Sequence, residues 1–110
     1  MSEVPPRRSL LEVITQPGPQ TTVTLVGELD PATAPDLQAE LSGLAGDATV
    51  TAVTLDLGRI TFLDSSGVRA LLAGSEGLRA RGAALVLRDP NPNVRRVLEV
   101  TGLAELISVE

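Results

Sequence analysis

The chain has 110 residues, enough for one domain with a single hydrophobic core, and 43% of them are hydrophobic, too many for a disordered chain. A formal net charge of −5 argues against nucleic acid or an anionic membrane surface as partner. There is no cysteine and no histidine, all nine basic residues are arginine, and Phe62 is the only aromatic residue; thiolate, imidazole and lysine chemistry are excluded, and base stacking has almost nothing to work with.

Residues 1–7, polar and carrying Pro5 and Pro6, are expected to form a short flexible tail ahead of a domain spanning 8–110. The start has no charged-then-apolar targeting signal, and no apolar run approaches the roughly 18 residues of a membrane span, so the expected location is the cytoplasm. Ser9 to Thr15 reads as a first strand closed by the turn Gln16-Pro17-Gly18-Pro19. Thr21 to Gly27 alternates threonines with Val23 and Leu25, the pattern of a hairpin partner for it. Glu28-Leu29-Asp30 then leads into a helix over about Thr33 to Leu44, with Thr33 and Asp36 at capping-box spacing and Leu37, Leu41 and Leu44 inward.

Val50 to Leu57 reads as a central strand, with Val53, Leu55 and Leu57 alternating. A helix running to about Arg81 follows, with Val68, Leu71, Leu72, Ser75 and Leu78 on one face. Gly74 and Gly77 inside it each cost about 1 kcal/mol against alanine, which predicts close packing on a neighbour. Ala83 to Leu87 is a continuous apolar run, expected to be buried on both faces. Asn91-Pro92 supplies cap and first residue of a third helix with Val94, Val97 and Leu98 inward and Gly102 as its stop; Leu103 to Val109 fits a strand or a short helix. An opening hairpin followed by alternating strands and helices gives an α/β fold with a small mixed sheet of four to five strands.

The informative stretch is Phe62-Leu63-Asp64-Ser65-Ser66-Gly67-Val68, where a strand hands over to a helix. The first turn of a helix carries unpaired N–H groups and partial positive charge, a suitable place for a phosphoserine. The plainer possibility is helix capping by Asp64 or Ser65. A nucleophile elbow is excluded, because the glycine two residues before the serine is missing and no histidine can complete a triad. A phosphate-binding loop is excluded by the missing lysine. Asp30, Asp56 and Asp64 fit turn and cap acids better than a magnesium or acid–base cluster.

Taken as a series, Gly27-Glu28-Leu29-Asp30, Asp56-Leu57, Ile60, Phe62 to Gly67 and Val94 to Leu103 resemble the STAS domain, and within it the bacterial anti-sigma factor antagonists. The likeness runs from about Leu10 to Val109. It implies a non-enzyme in which Ser66, the second hydroxyl of the Asp-Ser-Ser-Gly motif, receives a phosphate. It also implies that Asp30 and Asp64 lie near Ser66 and dock the partner, with Ser65, Gly67 and Arg69 at the same surface. The implied partner is an anti-sigma factor with a histidine-kinase-like ATPase fold, which supplies ATP, magnesium and all of the catalysis; the antagonist itself would hold no cofactor or metal. A phosphatase would reset Ser66.

Two other functions compete. One is a STAS subunit that is not phosphorylated, in a signalling scaffold or a lipid-transport ATPase complex. The other is an enzyme or nucleotide-binding protein built on the aspartates, which the missing His, Cys and Lys count against.

Overall fold

A computed structural model describes residues 10–110, so the expected tail over 1–7 lies outside the described residues. Two strands, β1 (Leu11–Gln16) and β2 (Gln20–Leu29), form the antiparallel hairpin around Pro17–Pro19; Ser9 also lies outside the described residues. They are followed by α1 (Ala34–Ala45), β3 (Ala52–Leu63), α2 (Ser65–Arg79), β4 (Ala84–Arg88), α3 (Pro92–Val100), the short α4 (Leu103–Leu106) and β5 (Ser108–Val109). The last segment is thus both a short helix and a strand. The mixed sheet has five strands in chain order, β1-β2-β3-β4-β5, with only the first pair antiparallel.

Alternation puts one face of this sheet in the core. Val23, Leu25, Val53, Leu55, Leu57, Leu85 and Leu87 point to that side and are buried with Leu37 and Leu41 of α1, Leu71 and Leu78 of α2, and Val94 and Leu98 of α3. The opposite face is bare: Thr22, Thr24, Val26, Thr54, Asp56, Val86 and Arg88 are only half-buried, and Ala84 is exposed. The β4 run is therefore buried on one face, not two, because all the helices bury their apolar sides in the same core cluster.

The central strand is longer than its alternating part. Across its pairing with β2, Thr24 faces Asp56 but Val26 faces Arg59, and Gly27 faces Ile60 but Glu28 faces Phe62. Each step inserts one extra residue into β3, so two bulges return Ile60 and Leu63 to the core after Leu57. Gly58 donates its N–H to Asp56 Oδ1 at 2.9 Å at the first of these irregularities. β4 accompanies β3 only as far as the Asp56–Arg88 pair, whose side chains form a salt bridge at 3.2 Å; residues 57–63 extend beyond β4.

Gly74 explains how closely α1 and α2 approach. A Cβ at this position would run into the Leu41 side chain, whereas one at Gly77 would make ordinary contact with Ala45 Cβ at 3.8 Å. The helix ends at Arg79, before the expected Arg81, as the chain turns through Gly82 at φ +81. Arg81 instead donates to Leu44 O at 3.3 Å and Val50 O at 2.9 Å, tying the end of α1 to the entry of β3. Nearby, hydrogen bonds from the Thr49 hydroxyl and N–H hold the Asp47 carboxyl below its ordinary pKa.

Gly74→Ala is expected to destabilise the fold by about 1–3 kcal/mol through overpacking. Gly77→Ala, exposed and in open helix, should stabilise it by about 0.5–1 kcal/mol. Urea unfolding of both variants checks the pair of opposite signs.

Candidate functional site

The carboxyl ends of β2 and β3 lie side by side, with Leu29 paired to Leu63 as the last rung and Asp64 N–H donating to Leu29 O at 3.1 Å. The next residues on the two strands are Asp30 and Asp64, which leave the sheet together. The chain after β3 turns at once into α2, and Gly67 sets how near that helix comes. A Cβ on Gly67 would lie 2.8 Å from Leu29 Cβ and 2.5 Å from Leu63 Cδ1, so only glycine lets the first turn rest on the two strand ends. Asp30, Asp64, Ser65, Ser66 and Gly67 are thereby gathered at one end of the sheet.

Asp64 is the helix cap. Its Oδ1 accepts from Ser66 N–H at 2.9 Å and Gly67 N–H at 3.3 Å, while its carbonyl accepts from Val68 N–H at 3.0 Å. Capping by Asp64 and a modifiable serine are therefore compatible, because capping leaves both hydroxyls unused. Ser65 is exposed, Ser66 is half-buried, and the Ser66 hydroxyl has no hydrogen bond among the described residues. A phosphate on Ser66 would share the field of the helix end, but the N–H groups of Ser66 and Gly67 are already held by a carboxylate. The expected stabilisation by the helix end is thus opposed by like charge from Asp64.

Asp30 anchors a different turn. Its Oδ1 accepts from Ala32 N–H at 2.9 Å and Thr33 N–H at 3.1 Å, and its carbonyl accepts from Ala34 N–H at 2.8 Å. The capping box expected between Thr33 and Asp36 does not form. Thr33, only 3% exposed, instead donates its hydroxyl to Glu28 O at 2.7 Å and accepts from Asp30 N–H at 3.1 Å. The threonine is committed to holding β2 and the Asp30 turn together, which sequence spacing alone does not reveal.

Arg69 is exposed on α2 one turn beyond Ser66, and Arg79, Arg95 and Arg96 are exposed on their helices. Asp56 is drawn away from the other acids by Arg88 and Gly58. Among the described residues no group of three or more acids is placed to hold a metal ion. Within them, too, no helix is long and apolar enough to cross a membrane.

Replacing Asp64 with alanine is expected to cost about 1 kcal/mol of stability by uncapping α2. Asp64→Asn keeps an accepting side-chain oxygen and should retain most of it; chemical denaturation of the two variants separates the cap from the charge.

Comparison with known proteins shows what the chain as a whole is similar to. Residues 13–108 match the family model described as "Mlab, STAS domain". The anti-sigma F factor antagonist of Lysinibacillus sphaericus is 32% identical over 93 residues, covering 84% of this chain and 78% of that protein. The Bacillus cell fate determinant SpoIIAA in its phosphorylated form is 26% identical with a TM-score of 0.70, covering 92% of this chain and 91% of that one. The anti-sigma factor antagonist SpoIIAA in its unphosphorylated form is 24% identical with the same TM-score of 0.70, covering 92% of this chain and 87% of that one.

Proposed function

The chain belongs to the STAS domain family, and from that premise we propose that it is an anti-sigma factor antagonist, a binding protein switched by phosphorylation of Ser66. The observation that carries this reading is the turn at the strand ends, where the Ser66 hydroxyl, with no hydrogen bond among the described residues, lies between the Asp64 cap and the Asp30 turn. The unmodified protein binds an anti-sigma factor and so releases the sigma factor. Asp30, Asp64, Ser65, Ser66 and Arg69 form the contact surface, while Gly67, expected there as well, is buried beneath it and sets how closely α2 rests on the strand ends. The partner is a serine kinase of histidine-kinase-like fold that brings ATP and magnesium, and a phosphatase reverses the modification; the site is cytoplasmic and the antagonist is substrate rather than enzyme.

The physical basis of the switch is local. A phosphate adds about −1.5 to −2 charges. It adds them to a rim that already carries Asp30 and Asp64, and the group must be desolvated when a partner covers it. A coupling of about 1–3 kcal/mol alters affinity roughly 5- to 150-fold. Refolding is not needed for this, and the fold likeness is equal for the phosphorylated and unphosphorylated forms of SpoIIAA.

A second reading, a STAS subunit that is never phosphorylated, has one observation in its favour: the matching family model bears the description Mlab. Affinity capture from source-cell lysate with wild type, Ser66→Ala and Ser66→Asp as baits distinguishes the two. The switch predicts that wild type retains a small kinase-like ATPase and that Ser66→Asp loses it. Incubation with that ATPase and ATP should then add one phosphate to wild type and none to Ser66→Ala by intact mass. Capture of the same transport proteins by all three baits would replace the switch with the second reading.

A further inference from the structure

The bare face of the sheet has an ordered top row. Leu11 pairs with Gly27 in the hairpin, so the preceding residue, Leu10, lies opposite Glu28, and Glu28 N–H donates to Leu10 O at 3.1 Å. Glu28 in turn pairs with Phe62 of β3. Leu10, Glu28 and Phe62 therefore stand in one cross-strand row, and directly paired residues put their side chains on the same face. That face is the solvent side, since Leu29 and Leu63, the next residues on β2 and β3, are buried.

This row exposes more apolar surface than its place in the fold requires. Leu10 is 74% exposed, and Phe62, the only aromatic residue of the chain, is 48% exposed. Phe62 is open because β4 stops pairing at Asp56, and it points outward because the second bulge of β3 re-aims it while returning Leu63 to the core. Two residues further on is Asp64, the cap of α2, so the row ends at the same strand end from which the Ser66 turn begins. With strands spaced about 4.8 Å apart, the two apolar side chains flank the Glu28 carboxylate at roughly 10 Å from each other.

We infer that the Leu10–Glu28–Phe62 row is the apolar anchor of the anti-sigma factor interface, with Phe62 entering an apolar pocket of the partner and Glu28 meeting a basic side chain between the two apolar contacts. This rests on the switch reading above and adds to it the source of affinity: the Ser66 rim carries the charge that is switched, and the row carries binding strength. A half-exposed aromatic beside a polar rim is the composition of an interface hot spot. Among the described residues this end of the molecule carries Glu12, Glu28, Asp30 and Asp64 against two exposed arginines, Arg59 and Arg69, a balance on the acidic side that suits a basic protein surface. The same acids oppose an anionic lipid surface, and they oppose a second copy of this chain, which would bring its own acids against them.

The probe is the anti-sigma factor retained by the wild-type bait, purified and titrated calorimetrically against unphosphorylated variants. Phe62→Ala and Leu10→Ser are each expected to weaken binding at least tenfold, Phe62→Leu to recover part of the loss, and Val100→Ser, an exposed apolar residue of α3 outside the row, to leave affinity unchanged. Melting temperatures of the variants are measured alongside; if Phe62→Ala unfolds, the more exposed Leu10→Ser decides. A loss below threefold in both overturns the anchor. If Ser66→Asp abolishes binding while the row variants do not weaken it, the anchor alone falls and the switch stands. If Ser66→Asp binds like wild type, the switch falls, and a tenfold loss in the row variants still supports the row as the docking surface of that partner.

Discussion

The rest of the structure depends on the way β3 is lengthened. A strictly alternating strand would carry its side chains in and out by turns from Val53 onward, and a continuation past Leu57 would put Leu63 inward but Ile60 outward. Two extra residues, one on either side of the Arg59–Ile60 step, instead bring Leu57, Ile60 and Leu63 all into the core. Leu63 buried beside Leu29 fixes the level at which the two strands stop. The proposed site is built on that level, because Asp30, Asp64 and the first turn of α2 begin there.

The serine turn can be rigid and still leave the Ser66 hydroxyl open to the proposed modification, because different groups carry the two duties. Backbone order comes from the Asp64 cap, from Gly67 resting on Leu29 and Leu63, and from the Thr33 hydroxyl fastening the Asp30 turn to β2. None of these consumes the Ser66 hydroxyl. A charge added there changes the surface without removing a bond that holds the fold. In a chain with no histidine, cysteine or lysine, this is chemistry that can be done to the protein without requiring catalytic groups of its own.

Much of the architecture was legible in the residues. Asn91 capping Val94 N–H with Pro92 behind it, Gly102 in the left-handed conformation after α3, and the hairpin about Pro17–Pro19 all follow from local chemistry. The residues of the proposed site were legible as a set of motifs, and the last rung, Leu29 to Leu63, brings Asp30 and Asp64 to the same end of the sheet. What misled was spacing that mimics a local motif. Thr33 and Asp36 have the separation of a capping box, but the threonine hydroxyl has a stronger claim from Glu28 O across the turn. Gly58-Arg59 looks like the end of a strand, yet both are exposed bulge-flanking residues in the middle of one. An apolar run at β4 looks doubly buried, yet the helices bury their apolar faces together on one side of the sheet.

By itself, the sequence determined the order of elements up to α3, the Asn91 cap of that helix, and the inward faces of the helices, because those properties depend on residue type and short-range periodicity. Only the tertiary structure decided that Gly67 rather than any larger residue fits against Leu29 and Leu63, and that Gly74 and not Gly77 is the tight contact with α1. It also decided which face of the sheet stays bare and that Leu10, Glu28 and Phe62 share a row on it. These are matters of register between segments far apart in the chain, and one added residue in a strand reverses the face of all that follow.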